Sequence, residues 1–222
     1  MTCQTTTTTT AALATCEALG RAAGFAILGA STVTNTGATE ITGDLGLYPG
    51  TSVTGFPPGT VNGLSYITDT QAQNAQTDAQ AAFTCLGALT GTTISGDIGE
   101  QTLTPGVYVA ASSIGVTVGL TLDGGGDPNA TFVFVIGSTF IPATGAVMSL
   151  INGAQSCNVW WIVGSSATLS NGSETSGNII AQTSITINTG AQLTGRAFAL
   201  TGAVTMDSNN IGNCNCTTNP CP

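Results

Sequence analysis

Between residues 167 and 207, apolar and polar positions alternate in short runs, and the runs repeat. Residues 169–177 (LSNGSETSG) lie over 187–195 (INTGAQLTG) at an offset of 18, with Gly172 on Gly190 and Gly177 on Gly195. The segments that follow also match, 178–181 over 196–199. A third copy, 202–206, falls under 183–187 at an offset of 19. Alternation with period two predicts strands. A repeat this short holds about three of them with three tight corners, one coil of a β-solenoid that buries its faces only by stacking on neighbours.

The same coil occurs near the other end of the chain. Residues 34–38 (TNTGA) echo 187–191, and Ile41-Thr42-Gly43 echoes Leu193-Thr194-Gly195 with one extra residue at the corner. The middle is rich in short strands but does not keep the period. One stretch, about 68–89, is helical: Ala72, Ala75, Ala79, Ala82, Phe83, Leu86 and Leu89 are spaced by three and four and form one stripe. Thr68 and Gln71 fit a capping box, and Gly87 and Gly91 offer stops. The small residues of the stripe predict close packing of this helix on a flat sheet. Residues 123–129 (DGGGDPN) read as a long structural turn. Calcium-binding nonapeptide loops work as stacked repeats, and this loop occurs once, so no metal is expected.

Sorting alternate residues by side separates core from surface. Val33, Val53, Ala167, Leu169, Ile185, Ile187, Val204 and Met206 point inward. The outward set is Thr32, Thr34 and Thr36; Ser52 and Thr54; Thr168 and Ser170; Ser184, Thr186 and Asn188; and Ala203 and Thr205. It is short, nearly uncharged and rich in side chains that carry one hydroxyl and one methyl. Coils stack about 4.8 Å apart and same-side residues along a strand lie about 6.6 Å apart, so such a face is a regular grid. β-Branched side chains hold their rotamers. Those spacings are comparable to the oxygen repeats of ice: methyls can sit in cages of ordered water while hydroxyls join the network. Exposed β-faces carry threonine for propensity reasons too, so the pattern by itself leaves an ordinary surface open.

Composition narrows the function. The 222 residues contain only two basic side chains, Arg21 and Arg196, no histidine, and a net charge of −9. Nucleic-acid binding, which needs clustered basic residues, is not expected. Without His or Lys, acid–base chemistry would fall to carboxylates, tyrosine or cysteine, and an enzyme is not expected. No apolar run approaches the length of a membrane span. Seven cysteines stand at 3, 16, 85, 157, 214, 216 and 221. Cys157 lies in an apolar run, 157–163, and reads as a free, buried thiol. The other six then form three bridges near the termini, which implies an oxidising compartment. Residues 1–20 are a low-complexity segment of a mature chain, 21–212 the solenoid domain and 213–222 a Cys-rich tail.

Taken together, several motifs resemble the microbial ice-binding protein family of the DUF3494 type: 25–28 (FAIL), 41–46 (ITGDLG), 53–59 (VTGFPPG), 102–108 (TLTPGVY), 126–130 (GDPNA), 150–154 (LINGA), 163–168 (VGSSAT) and 184–186 (SIT). The resemblance covers about 20–212. It implies a mainly β fold: a right-handed, discontinuous β-solenoid of triangular cross-section with one long α-helix packed alongside. In it the N-terminal coil inserts beside the C-terminal ones, which accounts for a period present at both ends. It implies that one flat face binds ice, with freezing-point depression and inhibition of recrystallisation, no cofactor, and a secreted, extracellular monomer. Positions matching its strands include Thr34, Thr54, Gly115, Ile141, Thr168, Thr186 and Thr205; Gly115 and Ile141 depart from threonine and predict a centre less regular than its flanks. The competing expectation is a polysaccharide-binding or adhesin solenoid, which wants an aromatic platform or a basic groove; Trp160 and Trp161 are adjacent, so at most one faces out, and Arg196 is nearly alone.

Overall fold

The computed structural model describes Cys16 and residues 19–212. Their strands wind into parallel coils with three sides. The second side is a separate eight-stranded sheet. The first and third sides join into one fifteen-stranded sheet, because Glu174–Ala181 and Gln192–Ala199 run on around the corner between them.

Glycine makes the corners repeat. Gly172 and Gly190 turn the chain from the second side to the third with φ of +64° and +71°, a left-handed backbone that other residues adopt at a cost. Gly195 sits against its equivalent one coil away: a Cβ there would lie 1.9 Å from the carbonyl oxygen of Gly177. The offset of 18 in the sequence is therefore the length of one coil.

The coils are not stacked in chain order. Phe25–Gly29 pairs on one edge with Ala197 and Phe198 and on the other with Asp44–Leu47. Thr32–Thr36 likewise lies between Val204–Asp207 and Ser52–Thr54, and Glu40–Thr42 between Asn210–Gly212 and Thr60–Asn62. The chain's first coil is thus inserted beside its last. After Ser65–Ile67 the chain stands at one end of the stack, and its next strand, Thr92–Thr93, lies at the other end. Eight strand spacings separate them, about 38 Å. The helix Thr70–Gly87 covers that gap: its 18 residues rise about 27 Å, and short links supply the rest.

Why the helix lies flat on the first side follows from its stripe. Ala72, Ala75, Ala79, Ala82 and Leu86 are buried, and four alanines let the axis approach the sheet. Ala75, Ala79, Ala82 and Leu86 pack with Leu28, Phe198, Ile180 and Ile162. First-side strands are consequently covered on both faces, which explains the unbroken apolar runs FAILG and VWWIV. Gln76 Nε2 donates to the carbonyls of Gly29 and Ala199 at 2.9 and 3.2 Å. Arg21 clamps Asp78 through Nε and Nη2 at 2.9 and 2.8 Å, and Cys16 is disulfide-bonded to Cys85. The helix is thereby fastened to the N-terminal 3-10 turn Gly20–Gly24.

Within the coils the core is layered. Trp161 stacks between Phe134 and Phe140, with ring centroids 4.1 and 4.3 Å away. One buried polar residue, Asn35, holds a corner by donating from Nδ2 to the carbonyls of Gly37 and Gly55, both at 2.8 Å.

Two expectations need correction. The helix begins at Thr70, not Thr68: Asp69 is the cap, accepting from Ala72 N at 2.9 Å, while Thr68 has a left-handed φ of +57° and lies outside the helix. Cys157 is not a free buried thiol. It is disulfide-bonded and half-buried in the short turn Ser156–Asn158, because the strand starts only at Val159. The other six cysteines are thus not a closed set of three pairs. Neither tryptophan faces out: Trp161 is in the coil interior and Trp160 under the first-side cover, 0% and 3% exposed. The expectations for Cys3, Cys214, Cys216, Cys221 and most of the threonine-rich start lie outside the described residues.

The cap gives a direct check. Asp69→Ala is expected to cost about 1 kcal/mol through loss of the bond to Ala72 N, read as a lower urea midpoint with an unchanged slope.

Candidate functional site

The three sides differ in what they offer to solvent. The first is covered by the helix. The third carries an exposed rank of Glu40, Asn210, Gln192 and Glu174, paired in that order. Its Glu40 accepts from Asn62 Nδ2 at 2.7 Å. Two carboxylates and long side chains make that side irregular.

The second side is built differently. Its strands pair in register so that equivalent outward residues stand in line. Thr54 lies opposite Thr34, Thr34 opposite Thr205, Thr205 opposite Thr186, and Thr186 opposite Thr168. Five threonines from five coils therefore form one central rank, with about 4.8 Å between neighbours. Thr54 and Thr205 are exposed; Thr34, Thr186 and Thr168 are half-buried by their neighbours. Thr34 Oγ1 donates to Thr205 Oγ1 at 3.3 Å, across 171 residues of sequence. Beneath four of these strands the alternate residues are fully inside, Val33, Val204, Ile185 and Ala167 on one line and Met206, Ile187 and Leu169 on the next, while Val53 at the end of the stack is half-buried. A packed core under β-branched side chains fixes the rank in position.

Beyond Thr168 the rank changes character. Phe140 pairs with Ala167, which sets Ile141 beside Thr168. Gly115 follows, opposite Ile141, and then Asp97, opposite Gly115. The break predicted at Gly115 and Ile141 is real in position, but it occupies one end rather than the centre. Asp97 accepts from Thr117 Oγ1 and from the backbone N–H groups of Gly99 and Thr117, both at 3.0 Å. These bonds, that of Thr117 first, hold its carboxyl below the usual carboxylate range.

Flanking ranks complete the surface. On one side Ser52 lies opposite Thr32, and serines tie consecutive coils together. Ser184 Oγ accepts from Ala203 N and Ser166 Oγ from Ser184 N, both at 3.3 Å, and Ser113 Oγ accepts from Thr139 Oγ1 at 2.8 Å. On the other side Thr36 lies opposite Asp207, with Asn188 and Ser170 on the coils beyond. Asp207 is held by Thr189 Oγ1 at 2.5 Å and Ser208 Oγ at 3.0 Å. Apart from Ala203, the outward set read from the sequence divides into Thr34, Thr54, Thr168, Thr186 and Thr205 centrally, Thr32 and Ser52 with Ser184 at a strand end in one flank, and Thr36 with Ser170 and Asn188 at strand ends in the other. Sequence reasoning missed Asp207, Asp97, Ser113, Thr139 and Ser166. Alternation about Phe140 and Ile114 was the signal that would have placed Thr139 and Ser113 outward.

A family profile described as "Ice-binding-like" matches residues 27–212. An ice-binding protein of Nostoc sp. (strain HG1) is 49% identical over 215 residues, covering 96% of this chain and 79% of that protein. Two solved structures share the fold closely. An ice binding protein from an Antarctic biological consortium superposes with a TM-score of 0.86 at 44% identity, over 96% of this chain and 95% of that one. One from the Antarctic ascomycete Antarctomyces psychrotrophicus gives 0.85 at 40% identity, over 89% and 98%.

Proposed function

The chain belongs to the ice-binding family of the DUF3494 type, and on that premise we propose that it adsorbs to ice through its second side. The observation that carries this reading is the in-register rank Thr54, Thr34, Thr205, Thr186 and Thr168. The helix covers one of the other two sides and glutamates interrupt the other. Each threonine offers a methyl and a hydroxyl to ordered water, and neither binds one water strongly. Adsorption comes from the sum over a rigid, repeated array, to which Thr32, Thr36, Ser52, Ser170, Ser184 and Asn188 add on the flanks. Once adsorbed, the protein makes ice grow in curved fronts between fixed points, which lowers the temperature of growth below that of melting. The same adsorption slows recrystallisation.

Residues 21–212 act as one ice-binding domain, a secreted monomer that performs no catalysis. Disulfides at Cys16–Cys85 and at Cys157 support an oxidising destination. A glycan-binding reading has lost its platform, since Trp160 and Trp161 are both buried. Nanolitre osmometry tests the proposal: a gap between melting and growth temperatures with faceted crystals is expected. A folded protein that leaves discs growing freely at the melting point would refute it.

A further inference from the structure

We propose that Ile141 and Gly115 set the length of the ice-adsorbing rank, and that the fold requires neither residue. This rests on the second side being the ice face. The backbone at Gly115 is outside the left-handed region, and a Cβ there would meet nothing nearer than Ile141 O at 3.7 Å and Asp97 Oδ1 at 3.9 Å, ordinary contact distances. Gly50 shows what a required glycine looks like: its Cβ would fall 1.9 Å from Ser31 O. Gly115 therefore has room for a Cβ and a backbone that a threonine can adopt.

Ile141 is the complementary case. It is 43% exposed, while its neighbours Phe140 and Pro142 are buried. The side chain points away from the core, so its apolar bulk contributes nothing to packing inside the coil. A threonine is smaller, equally β-branched and suited to the same strand. In place of two threonines the face thus presents an apolar knob beside a notch. Past the notch stands the carboxylate of Asp97, fixed by Thr117 and Gly99. The matched rank ends at Thr168 and spans four coil spacings, about 19 Å; carried through position 115 it would span six, about 29 Å. The chain holds a scaffold for a longer face than it uses.

The test compares three variants by hysteresis at equal molar concentration, each with its thermal melt. For Gly115→Thr with Ile141→Thr, seven matched positions replace five, and if positions contribute independently hysteresis rises about 1.4-fold. Thr168→Ile moves the boundary inward by one coil and lowers hysteresis to about 0.8 of the parent on the same basis. Thr186→Tyr reports on the face itself. Loss of activity in Thr186→Tyr with no gain in the double variant, its melt unchanged, overturns the boundary and leaves the ice face standing. Full activity in Thr186→Tyr overturns the ice face as well. If the double variant does not fold, Thr168→Ile decides: unchanged hysteresis there sinks the proposal.

Discussion

Thr186→Tyr removes most of the thermal hysteresis and leaves the protein folded. Thr186 stands in the middle of the central rank, with Thr205 and Thr168 on its two sides. A phenol there rises above both neighbours and lifts the array off a flat crystal surface along its whole length. The effect is larger than loss of one contact, because the raised ring also holds the neighbouring threonines away from the ice. Thr54→Tyr, at the end of the rank, leaves four neighbouring threonines able to touch and produces a smaller loss. Stability stays within about 0.5 kcal/mol in both variants, since both side chains point away from the core. Osmometry beside a melt monitored by circular dichroism reads both quantities. Activity that survives tyrosine at 54, 168, 186 and 205 alike would mean that ice meets a different side.

Trp161→Ala has the largest effect on stability, a loss of about 3–5 kcal/mol. The indole is fully buried, is sandwiched between Phe134 and Phe140, and donates from Nε1 to the carbonyl of Ser176 at 2.9 Å. Alanine leaves a cavity in the middle of the stack and an acceptor without its donor. Urea denaturation measures the change. A loss under 1 kcal/mol would mean that the surrounding coils collapse into the space, contrary to a rigid layered core. Because Phe140 lies directly before Ile141 on the second side, this variant also loosens the far end of that surface.

Much of the architecture was legible because of how a coil closes. Residues 174–181 and 192–199 pair over their whole length, so insertions are not tolerated and the period of 18 survives in the sequence. Between 97 and 164 the corners vary, with the turn after Asp123 and the 3-10 turn at Ser156–Asn158 adding residues. The coils there stack just as regularly in space, but their spacing along the chain does not repeat. The side to which Thr186 belongs followed from alternation alone. That Thr34 is its near neighbour through Thr205 did not: local pattern holds no information on which distant strand fills an edge, and that expectation rested on family resemblance. The helix cap is ambiguous in the sequence because Thr68 and Asp69 are both good caps, and the left-handed turn at Thr68 decides between them. Cys157 looks like a core thiol in the sequence because an apolar run starts at it, whereas the strand begins two residues on.

The inserted first coil has a consequence for how the protein is made. Strand 25–29 is synthesised early, yet one of its two edges pairs with Ala197 and Phe198, which are synthesised long after it. Contacts of such sequence separation are slow to form, since a long loop must close before any is rewarded. Until then Phe25, Ile27 and Leu28 remain an open apolar edge. Thr34 and Thr54 join Thr205, Thr186 and Thr168 only at that final closure, so the complete rank is assembled at the last stage of folding. A chain arrested before it would present two short threonine arrays that do not share a plane.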